Sequence, residues 1–156
     1  MTRIISPSML SADFGNLQAM CEMINKSDAE WLHFDVMDGV FVPNISFGFP
    51  VIEAVKKHCK KMLDVHIMIV QPEKYVQRFA KAGAGMLTFH YEATENPDEV
   101  IKLIRAEGIK VGICINPDVS VKVLEPFIDK VDMVLLMSVF AGFGCQKFIE
   151  ETDCKD

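Results

Sequence analysis

Short apolar runs alternate along this chain with longer segments whose apolar residues recur at helical spacing. The runs predict strands at residues 4–6, 31–36, 62–70, 86–90, 110–115 and 133–137. The segments between them predict helices near residues 14–26, 50–58, 72–82, 97–107 and 119–129. Because a parallel crossover needs a dozen or more residues, this alternation is typical of repeated βα units around a parallel sheet.

The spacing of the units limits how many the chain can hold. The unit length is roughly 26 residues, so eight units would need about 206, near the lower limit for an eightfold βα barrel. The 156 residues therefore hold about six units. Two architectures fit this count: a (β/α)8-type TIM barrel that is incomplete at its C-terminus, and an open doubly wound sheet. No linker-like segment interrupts the pattern, which predicts one partial barrel domain over residues 1–156.

Composition narrows the class of protein. Half of the residues are hydrophobic and 24% are charged, as in an ordinary soluble globular domain. The formal net charge of −6 argues against a nucleic-acid or membrane-surface partner. Five widely spaced cysteines without a Cys-x-x-Cys pair argue against a disulfide framework. Together with the absence of a signal-peptide pattern, these features predict a cytoplasmic protein.

Polar side chains share one face of two successive predicted strands. Residues two apart in a strand point the same way. The two faces carry His33, Asp35 and Met37 in one strand and Asp64, His66 and Met68 in the next. Imidazole and carboxylate side by side suit a divalent transition metal such as zinc, iron, cobalt or manganese. The alternative is a pair of buried, hydrogen-bonded His–Asp contacts.

The segment after the last predicted strand carries two glycines, Gly142 and Gly144, and a helix is predicted to begin near Lys147. Backbone N–H groups of such a loop can bind a phosphate, although a plain turn explains the glycines equally simply. Methionines at three predicted strand ends either fill the core or form a dry wall beside a metal: Met37, Met68 and Met137.

Three further residues lie on the same predicted rim. Ser8 follows the first predicted strand and can donate to a substrate oxygen or cap a turn. His90 and Asn116 follow later strands and carry weaker functional signals.

Four stretches of the chain resemble ribulose-phosphate 3-epimerases. They are residues 5–14, 33–44, 63–68 and 142–149, so that the resemblance runs over nearly the whole chain. The family is a (β/α)8 barrel that interconverts D-ribulose 5-phosphate and D-xylulose 5-phosphate in the pentose phosphate pathway. The resemblance thus implies a cytoplasmic isomerase with a phosphorylated ketopentose as substrate.

The resemblance also implies roles for individual residues. His33, Asp35 and His66 would bind one divalent metal ion, and Asp35 would also take the proton from C3 of the substrate. The implied substrate contacts are Ser8, His66, Met37, Met68, Met137, Gly142, Phe143, Gly144 and Cys145. The last four would lie along the phosphate, and the methionines would cap the reacting carbons.

The chain also departs from the family pattern. It lacks the Val-Asp-Gly-Gly stretch that supplies the second acid and a fourth metal ligand, and Cys145 stands where glycine is usual. These departures favour an alternative in which a truncated, catalytically impaired chain only binds metal or phosphate, or assembles with another chain. An allulose-6-phosphate 3-epimerase is a related alternative. Open strand edges in a six-stranded barrel predict a homo-oligomer.

Overall fold

The computed structural model describes residues 3–144 and 146–149. Five strands alternate with helices along these residues. The strands are β1 (Trp31–Met37), β2 (Met62–Met68), β3 (Met86–His90), β4 (Lys110–Ile115) and β5 (Met133–Leu136). The α-helices are α1 (Leu17–Lys26), α2 (Phe49–His58), α3 (Val76–Ala82) and α4 (Pro97–Ala106). Shorter 3₁₀ segments are Met9–Ser11, Phe14–Asn16, Pro72–Lys74 and Tyr91–Ala93, and a longer one is Val121–Lys130.

The five strands form one parallel sheet in the order β1-β2-β3-β4-β5. Each new strand adds to the same side of the one before it, with no reversal of order. A doubly wound sheet contains such a reversal at its switch point, whereas a βα barrel does not. The strand order therefore confirms the barrel and excludes the doubly wound alternative for this part of the chain.

Local sequence signals account for the ends of several helices. Pro50 lies in the first turn of α2, where its missing N–H leaves no helical hydrogen bond unmade. Gly83 ends α3 with a φ of 113°, a left-handed conformation that glycine adopts without a Cβ clash. The Asn96 side chain accepts a hydrogen bond from the Glu99 N–H and so caps α4.

The two faces of the sheet differ in chemistry. Alternate strand residues, including Phe34 of β1, Val65 of β2 and Ile113 of β4, lie in the apolar core between sheet and helices. The other face, inside the barrel curve, carries His33, Asp35, Asp64, His66, Thr88 and His90. The core thus fixes the strands, and the strands place the polar side chains.

The first predicted strand is wrong in part. Residues 4–6 form no strand, and residue 8 makes only an isolated parallel bridge with His33 of β1. The segment still follows β1, because the Ile5 and Pro7 carbonyls accept hydrogen bonds from the Trp31 and His33 N–H groups. Pro7 has no N–H to donate to a ladder, and Ile5 is 57% exposed. The described residues therefore contain five strands instead of the six predicted.

Two predicted helices also differ from the structure. The segment near 119–129 is a 3₁₀ helix, Val121–Lys130, and contains Pro126, which cannot donate an α-helical hydrogen bond. The helix predicted to begin near Lys147 is absent from residues 146–149, which are irregular. No helix among the described residues combines the length and apolarity that a membrane span requires.

Candidate active site

A pocket of about 280 Å³ lies at the carboxyl ends of the strands. It is lined by Ser8, Leu10, Ser11, Asp35, Met37, Met68, Met137, Val139, Gly142, Phe143 and Gly144. Residues predicted as site residues from three separate parts of the sequence thus share one cavity. Cys145, also predicted, lies outside the described residues. His33 and His66 do not line the pocket, because they lie beneath the Asp35 carboxylate.

Asp35 is the point where these groups meet. Its Oδ1 lies 3.1 Å from His33 Nε2 and 3.2 Å from His66 Nδ1. Its Oδ2 accepts a hydrogen bond of 2.6 Å from Ser8 Oγ. One carboxylate oxygen therefore faces two imidazoles, while the other faces a hydroxyl at the pocket wall.

The protonation states follow from these contacts. Burial raises the pKa of Asp35, but hydrogen bonds from His33 and His66 outweigh it and hold the pKa well below its usual value. Burial lowers the pKa of His33, but hydrogen bonds to Asp35 and Asp64 raise it to about 10. Burial and the neighbouring His90 and His33 lower the pKa of His66 to about 4, against the hydrogen bond to Asp35. At neutral pH Asp35 is therefore ionised and His66 is neutral.

Each histidine has a further partner on the side away from Asp35. His33 Nδ1 lies 2.7 Å from Oδ2 of buried Asp64, and His66 Nε2 lies 2.9 Å from His90 Nε2. The rings of His33 and His66 are consequently held from both ends.

The three groups suit a divalent cation. His33, Asp35 and His66 each offer one ligand atom, and these atoms all lie within 4.8 Å of one another. Donors bound to one ion at about 2.1 Å are roughly 3.0–3.4 Å apart, for angles between square and tetrahedral. The separations of Asp35 Oδ1 from the two histidine nitrogens fall within that range.

The methionines form an apolar wall on the same pocket. Met37 and Met68 are buried and pack with Val42 in a small cluster separate from the main core. Leu10 and Ala141 pack against this cluster. Met137 is half-buried and lines the pocket after the end of β5. The wall excludes water from one side of the Asp35 carboxylate.

The glycine loop is tied to two other strand ends. Asn44 Nδ2 donates to the Gly142 carbonyl over 2.8 Å, and Asn116 Oδ1 accepts from the Ala141 N–H over 3.1 Å. Gly142 has a φ of 120° and lies so close to Val42 that an added Cβ would be 3.1 Å from the Val42 Cβ. Gly142 is therefore required for this turn, whereas Gly144 is exposed at the pocket.

The sequence did not single out Asp64 or Asn44 as partners of the site, and it gave His90 only a weak claim. A signal for Asp64 and His90 is available, since both lie on the same strand face as the histidine that they contact. Asn44 lies within a stretch used for the family resemblance, yet its contact with residue 142 spans 98 positions. No local pattern reports such a pairing.

Comparisons with known proteins agree with this geometry. A sequence model of the ribulose-phosphate 3 epimerase family matches residues 4–155. A ribulose-phosphate 3-epimerase of Eremothecium gossypii is 45% identical over 159 residues, covering 95% of this chain and 66% of that protein. The corresponding values for the Bacillus subtilis enzyme are 47% over 145 residues, 93% and 67%. The chain thus spans about two thirds of the length of the curated relatives that it matches.

Solved structures support the barrel. A mutant tryptophan synthase α-subunit from Pyrococcus furiosus matches with a TM-score of 0.63 at 12% identity, covering 84% of this chain and 63% of that one. The α-subunit from Legionella pneumophila gives a TM-score of 0.59 at 12% identity, with coverage of 87% and 62%. At such low identity the likeness concerns the fold alone.

Proposed function

The chain belongs to the ribulose-phosphate 3-epimerase family, and from this premise we propose that it acts on C3 of D-ribulose 5-phosphate, towards D-xylulose 5-phosphate. The observation that carries the proposal is the Asp35 carboxylate, which joins two histidines and lies in a pocket with a glycine loop at its rim. This reaction is a step of the pentose phosphate pathway.

Asp35 is the base in this proposal. A base must be ionised before it accepts a proton, and the hydrogen bonds from His33 and His66 keep the pKa of Asp35 well below neutrality. Ser8 orients the oxygen that faces the pocket through its 2.6 Å hydrogen bond. The proton on C3 of the ketose then passes to Asp35 and leaves an enediolate.

His33, Asp35 and His66 would hold one divalent cation, for which zinc, iron, cobalt and manganese are candidates. The cation would supply charge neutralisation for the enediolate oxygens. The chain's own residues position the groups: β1 carries His33 and Asp35, and β2 carries His66.

The rest of the pocket would bind the ends of the substrate. The loop containing Gly142, Phe143 and Gly144 would lie along the phosphate, with Cys145 next to it. Met37, Met68 and Met137 would cover the reacting carbons and exclude water. His66 would contact the substrate from beneath Asp35.

A second candidate is proton exchange without complete inversion. Inversion needs an acid on the face of the substrate opposite to the base. Within the described part of the chain, Asp35 is the one carboxylate that lines the pocket. This observation favours a protein that binds metal or phosphate, or loosens the C3 proton, and that is impaired in turnover or completed by another chain.

Solvent exchange separates these functions. The protein, loaded with Co²⁺, is incubated with D-ribulose 5-phosphate in D₂O, and both loss of the C3 proton and formation of the xylulose isomer are followed by ¹H NMR. The first proposal expects both signals to change, whereas the second expects exchange to exceed inversion. D-Allulose 6-phosphate is assayed in parallel, because the related epimerase would prefer it.

Matched variants make the assay specific. Asp35→Asn keeps the shape of the side chain but removes the base, so exchange should fall by at least about a hundredfold. Asp98→Asn makes the same chemical change at an exposed ion pair with Lys130 and should leave exchange unchanged. Equal exchange by wild type and Asp35→Asn would show that Asp35 is not the base.

We also propose a cytoplasmic, homo-oligomeric protein whose residues 1–156 form one partial barrel domain. A relative from rice that is 45% identical is a cytoplasmic isoform, which supports the location. The exposed side chains on β5 support the oligomer. Size-exclusion chromatography with light scattering tests the oligomeric state.

A further inference from the structure

We propose that Asp64 and His90 are positioning residues that determine which ring nitrogen His33 and His66 turn towards Asp35. The inference deepens the proposed function, because it concerns the same cation site. It depends on the hydrogen bonds on the far side of each imidazole, which neither the family match nor the residue pattern assigns.

The His33 side rests on a buried carboxylate. Asp64 Oδ2 lies 2.7 Å from His33 Nδ1, and Ser6 Oγ donates to the same oxygen over 3.3 Å. An ionised carboxylate can only accept hydrogen bonds, so His33 must carry hydrogen on Nδ1. Its Nε2 is then the nitrogen available beside Asp35 Oδ1. Carboxylate–histidine–metal arrangements of this kind orient the ring and raise its basicity as a ligand.

The His66 side rests on another imidazole. His66 Nε2 and His90 Nε2 lie 2.9 Å apart, and both side chains are buried. Two nitrogens at this distance need one hydrogen between them, which either ring can supply. The contact alone therefore leaves two tautomer assignments.

Glu92 decides between these assignments. Its Oε2 lies 3.7 Å from His90 Nδ1, too far for a good hydrogen bond but near enough to favour a proton on that nitrogen. A neutral His90 with hydrogen on Nδ1 can only accept at Nε2. His66 must then donate from Nε2, which leaves a lone pair on His66 Nδ1, 3.2 Å from Asp35 Oδ1.

The consequence is a convergence of acceptors. His66 Nδ1 and Asp35 Oδ1 both present lone pairs across their contact, and such a pair needs a proton or a cation between them. His33 Nε2 faces the same carboxylate oxygen. Asp64 and His90 thus direct both ring nitrogens to the one place where a cation has three ligands.

A separate metal site explains the His66–His90 contact less well. His66, His90 and Cys114 are all buried and offer ligand atoms within 4.8 Å of one another. Two nitrogens bound to one tetrahedral zinc are about 3.3–3.4 Å apart, longer than the 2.9 Å between these two. The shorter distance is that of a hydrogen bond.

The first experiment reads the tautomers directly in metal-free protein. The sequence has four histidines, so ¹⁵N-histidine labelling and long-range ¹H–¹⁵N correlation give a resolvable spectrum. We expect hydrogen on Nε2 of His66 and on Nδ1 of His90 at neutral pH. Hydrogen on Nδ1 of His66 would overturn the assignment of His90. This readout involves no catalytic assay, so failure of the proposed function leaves it unaffected.

The second experiment measures Co²⁺ affinity by competition with a chelator, together with the visible spectrum of the Co²⁺ complex. Loss of an outer hydrogen-bond partner typically lowers metal affinity by about 10–100-fold. We expect this loss and an altered spectrum for Asp64→Asn and for His90→Leu. His90→Gln should restore part of the affinity, because its amide oxygen can accept from His66 Nε2.

Thr88→Val is the matched control. Thr88 is fully buried on the same face of β3 as His90, and its Oγ1 has no hydrogen-bond partner among the described residues. The substitution keeps the shape and should leave Co²⁺ affinity unchanged. Wild-type affinity in both Asp64→Asn and His90→Leu would refute the positioning role. A second bound Co²⁺ equivalent that disappears in His90→Leu would replace it with a separate ion site.

Discussion

β4 and β5 are neighbours in one sheet, yet they are covered to very different extents. Every β4 side chain from residue 111 to 115 is buried, whereas β5 exposes Val134 by 38% and Leu136 by 45% on the face that meets the helical layer. The histidine–carboxylate group belongs to the buried part, on β1 to β3. The glycine loop follows β5. Rigid packing therefore holds the ionisable groups, while the loop depends on a few hydrogen bonds.

A pair of alanine substitutions tests this contrast most strongly. Ile115 is fully buried and is the register partner of Leu136. Ile115→Ala should lower the free energy of unfolding by about 2–5 kcal/mol, because it leaves a cavity in the core. Leu136→Ala should lower it by less than about 1 kcal/mol, because much of its surface already meets water. Urea unfolding measures both, and equal losses would show that β5 is as well packed as β4.

The next prediction uses the ionisation of the buried part. The raised pKa of His33, about 10, means that its imidazole is protonated at neutral pH and must lose one proton to bind a cation. Metal affinity should therefore rise about tenfold per pH unit below that pKa. Zn²⁺ titrations between pH 6 and 9 in buffers of different ionisation enthalpy measure the proton released. An affinity that is independent of pH would place the proton elsewhere.

The third prediction concerns the ties of the loop. Asn116→Ala removes the hydrogen bond to the Ala141 N–H and should cost about 1 kcal/mol of local stability. Hydrogen exchange of the Ala141 amide should become about fivefold faster, as that free energy implies. Amides in β3 should keep their exchange rates, and equal acceleration there would mean that loop and sheet open together.

The smallest effect is expected at Asp38, which joins the loops after β1 and β2. Its carboxylate accepts hydrogen bonds from the Val40, Phe41 and Val70 N–H groups. Burial raises the pKa of Asp38, but these hydrogen bonds outweigh it and lower the pKa.

The sign of the pH effect follows from that lowered pKa. A carboxyl group with a lowered folded-state pKa stabilises the fold above its unfolded pKa of about 3.9, and this contribution is lost as the pH falls through the folded value. Asp38→Asn should therefore cost a few tenths of a kcal/mol to about 1 kcal/mol at pH 7. It should also flatten the acid side of the stability profile, as measured by urea unfolding between pH 2.5 and 7.

The sequence predicted those features of the fold that arise from local periodicity. The bounds of β3 and β4 match the predicted runs, since two-residue alternation and the flanking glycines are local signals. It failed at residues 4–6, where pairing depends on a neighbouring strand, and at Val121–Lys130, where Pro126 changes the type of helix.

The site was predictable to the same extent. The shared face of His33 and Asp35 follows from alternation within one strand. The contacts of Asp64 and His90 depend on the register between strands, which the sequence does not contain. The Asn44–Gly142 contact depends on the closure of the barrel.

The alternation in β1 also limits how this protein can change. Phe34 and Val36 belong to the core, while His33 and Asp35 belong to the pocket side, so that neighbours along the chain serve opposite faces. Deleting one residue early in β1 would turn the histidine and carboxylate towards the helices and Phe34 into the cavity. Insertions and deletions are thus restricted to the connecting loops, whereas drift within β1 must proceed by substitution alone.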